Sequence, residues 1–403
     1  MNNYLIFFIS ALAFNQLAAQ SQKGEETIRL FQNKHFVSEK NWGLYAINEK
    51  GILLEHNSDA MLKPASIQKL ITTGVALIDM DSSFRFETKL EAEGKILHDT
   101  LFGNLFISGS GDPSFGSEHF SNTSPEALFE KFYDALNISG IRVITGSLIT
   151  EAPGFDSLLF PQGIWKKEDY GNYYGAGTCG LNFHENYYTV YFKSGKKTGD
   201  SASVIAVDPP VEGMRLINRV TTAGPNTGDN VIIYGEPGNN TRTLTGTIPL
   251  GCERFAVKGS LPDPPAAFAA LFKNYLALRG IIFSNQQLIN SSTHQLITTH
   301  YSPPLSELVF VTNHNSNNVF AESLLRSIAV HKNLSGTTEN GISITNKHLS
   351  KSTDQQIVLR DGSGLSEMNR ISPKAMVDFL DKMKHEKQFD VFFRSLPVSC
   401  RSG

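Results

Sequence analysis

Apolar positions recur along this chain with two periods, and the alternation between them divides it into blocks. Every-other-residue alternation marks strand-like segments at 42–48 and 52–56, which read as a hairpin around Glu49-Lys50-Gly51, and at 85–94 and 101–108. Helical spacing follows Pro64, where Leu70, Ile71, Val75 and Leu77 supply one apolar side of a helix running to about residue 78. A helix opens at Ser124-Pro125 and stops at Gly140, and a strand is expected at 141–150. From 186 to 262 the text is strand-rich, punctuated by Asp208-Pro-Pro210, Gly224-Pro-Asn226 and Gly235-Glu-Pro-Gly-Asn-Asn240. Helices are expected at 25–32, 264–278, 304–313, 317–331, 340–350 and 372–386, with a strand at 357–360.

Composition narrows the functions. The chain has 403 residues, 40% of them hydrophobic, enough for more than one core. A net charge of −3 with no basic stripe argues against a nucleic-acid partner. Residues 1–20 have the form of a secretory signal, with a short apolar stretch at 5–14 and Leu17-Ala18-Ala19 before the expected cleavage. No later stretch is apolar enough to span a bilayer, so an exported, periplasmic protein is expected. The three cysteines, Cys179, Cys252 and Cys400, have no metal-ligand spacing, and one disulfide or three free thiols are both open. No metal or cofactor is expected.

The candidate chemistry begins with Ser66 and Lys69 in Lys63-Pro-Ala-Ser-Ile-Gln-Lys-Leu70. Three residues apart on a helix, they share a face. A serine needs a neighbouring base to become a nucleophile, and a desolvated lysine can supply one. Ser-x-x-Lys alone is common by chance. A second element, Ser316-Asn317-Asn318, offers a hydroxyl to relay a proton and an amide to hold a peptide carbonyl.

Together these resemble the signature of penicillin-binding proteins. The matching text also includes Gly103-Asn-Leu-Phe-Ile-Ser-Gly-Ser-Gly-Asp-Pro113, Tyr174-Gly-Ala-Gly177, Val257-Lys-Gly-Ser-Leu-Pro-Asp-Pro264, Asp361-Gly-Ser-Gly-Leu-Ser366 and Ser395-Leu-Pro397. On these motifs the chain resembles the D-alanyl-D-alanine carboxypeptidase/endopeptidase family, the class C low-molecular-mass penicillin-binding proteins. The resemblance implies an α+β, α/β multidomain fold: a transpeptidase-like domain of helices around an antiparallel sheet at 21–84 and 291–403, with two nested insertions. One is a β-rich domain at 85–112 and 186–290, the other a smaller α/β domain at 113–185.

It also implies roles. Ser66 is the acylated nucleophile, Lys69 the general base, Ser316 a proton relay and Asn318 the holder of the substrate amide. The substrates are peptidoglycan stem peptides, and β-lactam antibiotics are covalent inhibitors. Asp156 and Trp165, with Phe160, are candidates for gripping the ammonium of a stem-peptide diamino acid. Asp361 and Asp112 read as turn residues, and Ser363 as part of a tight turn rather than a second nucleophile.

One motif departs. The family's Lys-Thr-Gly element belongs after Ser395-Leu-Pro397, and the sequence to Gly403 contains none. Lys197-Thr198-Gly199 comes too early and reads as a hairpin tip; Lys258-Gly259-Ser260 is also upstream. A chain without that element is expected to lack a carboxylate-binding strand and one oxyanion donor, and to be inactive or poorly folded, while its full-length parent is active. Two other readings remain open: a non-catalytic peptidoglycan-binding remnant, and a serine β-lactamase or esterase.

Overall fold

The computed structural model describes residue 29, residues 42–284 and residues 294–398. Residues 1–20, most of 25–32 and Cys400 lie outside these, and with them the signal, the first helix and one thiol. Among the described residues no helix is long and apolar enough to cross a membrane.

Strands β1 (Leu44–Asn48) and β2 (Gly51–His56) form the antiparallel hairpin expected around residues 49–51. A 3₁₀ turn, Ala65–Gln68, leads into helix α1 (Lys69–Met80). Two long strands follow, β3 (Glu87–Leu97) and β4 (Thr100–Ser108), whose residues alternate in burial as a half-covered sheet requires. Leu90 faces Ile107 and Ala92 faces Leu105 across the ladder.

Helix α2 (Pro125–Ile138) starts where Ser124 caps it, its side chain accepting from the N–H of Ala127 at 3.3 Å. The strand expected at 141–150 is broken into β5 (Val143–Ile144) and β6 (Leu148–Glu151), both parallel to β4 in one register. At the break the Thr145 hydroxyl accepts the N–H of Gly103 in place of a ladder carbonyl.

The strand-rich text becomes two three-stranded sheets. β7 (Tyr187–Lys193), β8 (Ser203–Asp208) and β12 (Phe255–Ser260) form one, ordered β12-β7-β8. β9 (Arg215–Ala223), β10 (Ile232–Tyr234) and β11 (Thr241–Pro249) form the other, ordered β10-β11-β9 with β9 and β11 parallel. Helix α3 (Pro264–Leu278) follows, capped by Asp263, then β13 (Ile282–Phe283) and β14 (His294–Tyr301). The six-stranded sheet runs β13-β5-β4-β3-β14, with β6 also on β4.

The helical body comprises α1, α4 (Leu305–His314), α5 (Asn318–His331), α6 (Thr338–Leu349), α7 (Pro373–Met383) and α8 (Phe389–Arg394). Its core joins Ile71 and Val75 of α1 to Leu308 of α4, Leu324 and Ile328 of α5, Phe379 of α7 and Phe392 of α8. Gly74 lets α1 approach α7; a Cβ there would meet the Phe379 ring at 2.8 Å. The strand expected at 357–360 is only a single bridge, Val358 to Arg370.

Two expected domain boundaries do not match the packing. The 113–185 segment has no separate core of its own along its helical half. Leu128, Phe129, Phe132, Leu136 and Ile144 are buried in the same cluster as Leu90, Leu105, Tyr188 and Phe268. Only Phe160, Trp165 and Tyr170 form a cluster apart, against Leu365 of the helical body. The boundary at 291 is also displaced, because β14 pairs with β3 and extends the inserted sheet.

Candidate active site

Ser66 stands exposed in the 3₁₀ turn, immediately after Ala65, whose φ of 48° lies in the left-handed region. In a 3₁₀ turn residues three apart eclipse, which brings the Lys69 side chain directly to Ser66. The Lys69 ammonium donates to Ser66 Oγ at 3.0 Å and to the Ser363 carbonyl at 2.8 Å. Lys69 is 1% exposed. Burial pulls its pKa down to about 8, against the opposing charges of Glu322 and Asp361. An amine so placed has a share of its neutral form near neutral pH and can take the Ser66 proton.

The Ser363 carbonyl belongs to a turn built on Asp361. This buried carboxylate accepts from the N–H of Gly364 at 2.9 Å and of Ser366 at 2.6 Å. It also accepts from the side chains of Asn369 at 2.9 Å, Trp165 at 2.8 Å and Gln68 at 3.2 Å. Gln68 donates as well to the Asp361 carbonyl. The turn reading of Asp361 agrees with this geometry. The Ser363 hydroxyl is fully buried and accepts the Leu365 N–H, so no second nucleophile is exposed there.

Sequence reasoning missed Glu322. It is 1% exposed on α5, and its Oε1 accepts the N–H groups of Gly362 and Ser363 at 2.9 and 2.7 Å. Burial, and Asp361 nearby, push its carboxyl above the ordinary range. One signal was available: a lone acid in the apolar face of an interior helix, where a carboxylate must find donors.

The Ser316-Asn317-Asn318 element spans the junction of α4 and α5, with Asn318 the first residue of α5. Ser316 is exposed, with φ 52°. Asn317 caps α5 by accepting the Phe320 N–H at 3.2 Å. The Asn318 amide donates to the Tyr174 carbonyl at 2.6 Å. The end of α4 is tied to α1 by Thr73, whose hydroxyl lies 3.3 Å from Asn313 Oδ1 and donates to the Lys69 carbonyl at 2.8 Å. The element is thus anchored one turn along from Lys69. Among the described residues the Ser316 hydroxyl makes no hydrogen bond to Ser66 or Lys69.

The proposed ammonium grip looks different in place. Trp165 is 5% exposed and gives its indole N–H to Asp361. Asp156 accepts from the buried Arg326 at 3.0 Å. Phe160 stacks on Tyr170, with ring centroids 4.1 Å apart. The Trp165 and Asp156 contacts bind the 113–185 segment to the helical body, and they occupy groups expected to face substrate. Lys197-Thr-Gly199 sits in the turn between β7 and β8, with Asp200 accepting the N–H groups of Lys196 and Lys197. Asp112 accepts from Ser114 N at 2.8 Å, a local turn. His314 stacks on Phe310. Among the described residues Cys179 and Cys252 form no disulfide.

Comparison with known proteins adds a family to this geometry. A D-alanyl-D-alanine carboxypeptidase DacB of Haemophilus influenzae is 25% identical over 368 residues, covering 89% of this chain and 73% of its own length. A D-alanyl-D-alanine carboxypeptidase of an Actinomadura species is 25% identical over 370 residues; the chain spans 65% of that relative's length. The crystal structure of penicillin binding protein 4 (dacB) from Haemophilus influenzae superposes with a TM-score of 0.75 at 25% identity, covering 90% of this chain and 79% of that one. The fold is therefore the α+β fold of a multidomain penicillin-binding protein. The family description D-Ala-D-Ala carboxypeptidase 3 (S13) matches residues 29–403, and the chain belongs to that serine-peptidase family.

Proposed function

We propose that the protein is a serine-type D-alanyl-D-alanine carboxypeptidase/endopeptidase that cleaves peptidoglycan stem peptides through an acyl-enzyme on Ser66. One observation carries this reading above the others: a buried amine, drawn down to about 8, donates at 3.0 Å to an exposed serine hydroxyl. Family membership supports the choice of substrate.

In this reading Ser66 Oγ attacks the carbonyl carbon of the D-Ala–D-Xaa bond while its proton passes to neutral Lys69. A tetrahedral oxyanion forms at the substrate oxygen, beside the N–H of Ser66 in the 3₁₀ turn that leads into α1. As the C–N bond breaks, the proton passes to the leaving amine through Lys69 or Ser316. Water then adds to the acyl-enzyme and releases the shortened peptide, restoring the Ser66 hydroxyl. The Asn318 amide gives one N–H to the Tyr174 carbonyl and keeps its second for a substrate carbonyl. β-Lactams, which present a strained amide to the same oxygen, acylate Ser66 and stay attached. The site of action is the exported, periplasmic compartment, where the substrate resides.

The test combines fluorescent-penicillin labelling of the purified full-length protein, Lys-Thr-Gly element included, with release of D-alanine from a muropeptide pentapeptide. Labelling mapped to Ser66, lost in Ser66→Ala, together with D-alanine release, is expected. Binding of peptidoglycan fragments with neither event would replace this reading with a non-catalytic wall-binding protein.

A further inference from the structure

Glu185 is a buried acid outside the proposed chemistry. It is 8% exposed and lies at the centre of His184, Glu185 and Asn186, three consecutive residues with φ between 50° and 54°. Non-glycine residues rarely adopt that conformation, and it persists only where the surroundings hold it. The surroundings here are specific. Asn186 is 1% exposed; its side chain accepts the Phe183 N–H at 2.9 Å and donates to the Gly177 carbonyl at 2.8 Å.

The strained turn aims the Glu185 carboxylate at the α4–α5 junction. Oε1 accepts from the Ser117 hydroxyl at 3.0 Å. Oε2 accepts from the Asn317 amide at 2.6 Å, and the His119 imidazole Nε2 lies 3.5 Å from the same oxygen. Asn317 thereby uses both ends of its side chain, its oxygen capping α5 and its nitrogen held by Glu185. The residue on its N-terminal side is Ser316, in the left-handed region. A backbone turn of that kind, exposed and without a side-chain bond to Ser66 or Lys69, depends on its neighbours for its aim.

We propose that Glu185 is a positioning residue: through Asn317 it fixes the turn that carries Ser316, and so sets the distance over which Ser316 relays a proton. The proposal rests on the acyl-transfer reading of the site and extends it to a residue of the inserted block. Asn317 is then the lever of the second element, with a capping oxygen on one side and a carboxylate tether on the other. The bond is local to proton relay, because Asn318 has its own anchor at the Tyr174 carbonyl.

The experiment measures the acylation rate constant and the preceding non-covalent affinity separately, by stopped-flow with a fluorescent penicillin on the full chain. Glu185→Ala is expected to lower the acylation rate constant about tenfold to hundredfold, the cost of a misplacement near 1 Å, with affinity within about twofold. Ser117→Ala removes another bond to the same carboxylate and is expected to leave the acylation rate constant unchanged. Because Glu185→Ala can also fail to fold, a charge exchange gives a second route. Asn317→Asp keeps a good helix cap but sets two carboxylates face to face, and should slow acylation. Adding Glu185→Gln restores a donor opposite Asp and should recover most of the rate. An unmodified protein that is labelled normally, with Glu185→Ala or Asn317→Asp at native rate, overturns this proposal alone. So does Ser117→Ala slowing acylation as much as Glu185→Ala, or an Asn317→Asp defect that Glu185→Gln does not repair. An unmodified protein that is never acylated overturns the functional reading and this proposal with it.

Discussion

Ser363 offers Lys69 its carbonyl oxygen, at 2.8 Å, and keeps its hydroxyl buried. A serine that invites reading as a nucleophile instead holds the general base from behind, so that one ammonium proton points at Ser363 and another at Ser66. The lysine is oriented by the backbone of a turn, and the turn is oriented by two carboxylates, Asp361 and Glu322.

Acylation is expected to rise with pH through about 8. Lys69 is depressed from 10.5 because burial disfavours its charged form. The base must be neutral, so the rate grows as the proton leaves and levels off above that value. Measured from pH 6 to 10 with a slow β-lactam, a rate flat across this range rules out Lys69 as the base. Lys69→Met should lower acylation by about 10²–10⁴-fold.

Gly364→Ala should disable the site. Gly364 has φ 84°, where an alanine costs about 1–2 kcal/mol. A Cβ there would also overlap the Ala65 carbonyl oxygen, and Ala65 directly precedes the nucleophile. Labelling should fall by more than the stability loss explains. Acylation and urea unfolding measured on the same preparation check this; a folded variant labelled at native rate contradicts it.

The sequence made much of this legible. Elements with a strong period and a stop signal, such as α2 after Ser124-Pro125 and α3 after Asp263-Pro264, lie where the text places them. The Ser66–Lys69 contact follows from spacing alone. What the sequence could not reveal depends on partners distant along the chain. Trp165 looked like a binding residue because nothing nearby predicted Asp361, 196 residues away, as its acceptor. The partners of Glu322 and Glu185 were hidden for the same reason: their donors come from other segments, and for Glu322 the only local signal was an acid set in an apolar helix face. The core shared by Leu128 and Leu105 likewise joins residues whose segments look independent in the text.

Trp165→Phe should cost about 1.5–3 kcal/mol, the worth of a hydrogen bond to a charged group. It leaves one oxygen of buried Asp361 with a single donor, the Ser366 N–H. Urea unfolding followed by circular dichroism measures the loss. A change below about 0.5 kcal/mol means that water or a neighbour replaces the indole.

Asp79 should support stability at neutral pH and lose that role in acid. Its carboxylate, 7% exposed, is 3.1 Å from both Lys332 and His348. Burial raises its pKa, but those two partners overcome burial and bring it below 3.8. A depressed carboxyl contributes stability above its unfolded pKa, and the contribution disappears as pH falls through the folded value. Asp79→Asn is expected to cost about 1–2 kcal/mol at pH 7, discounted because Lys332 is 44% exposed, and less at pH 3. Denaturant melts of both proteins at the two pH values decide it; equal differences at both contradict the assignment.

Strand β6 zips onto β4, and α2 closes the same interior as α3. The 113–185 segment is therefore no detachable cassette. Excising residues 113–185 and rejoining the ends would pull aromatic anchors out of a neighbour's interior. A transplanted lobe has to be spliced between the end of β6 at Glu151 and the start of β7 at Tyr187, leaving the shared sheet whole.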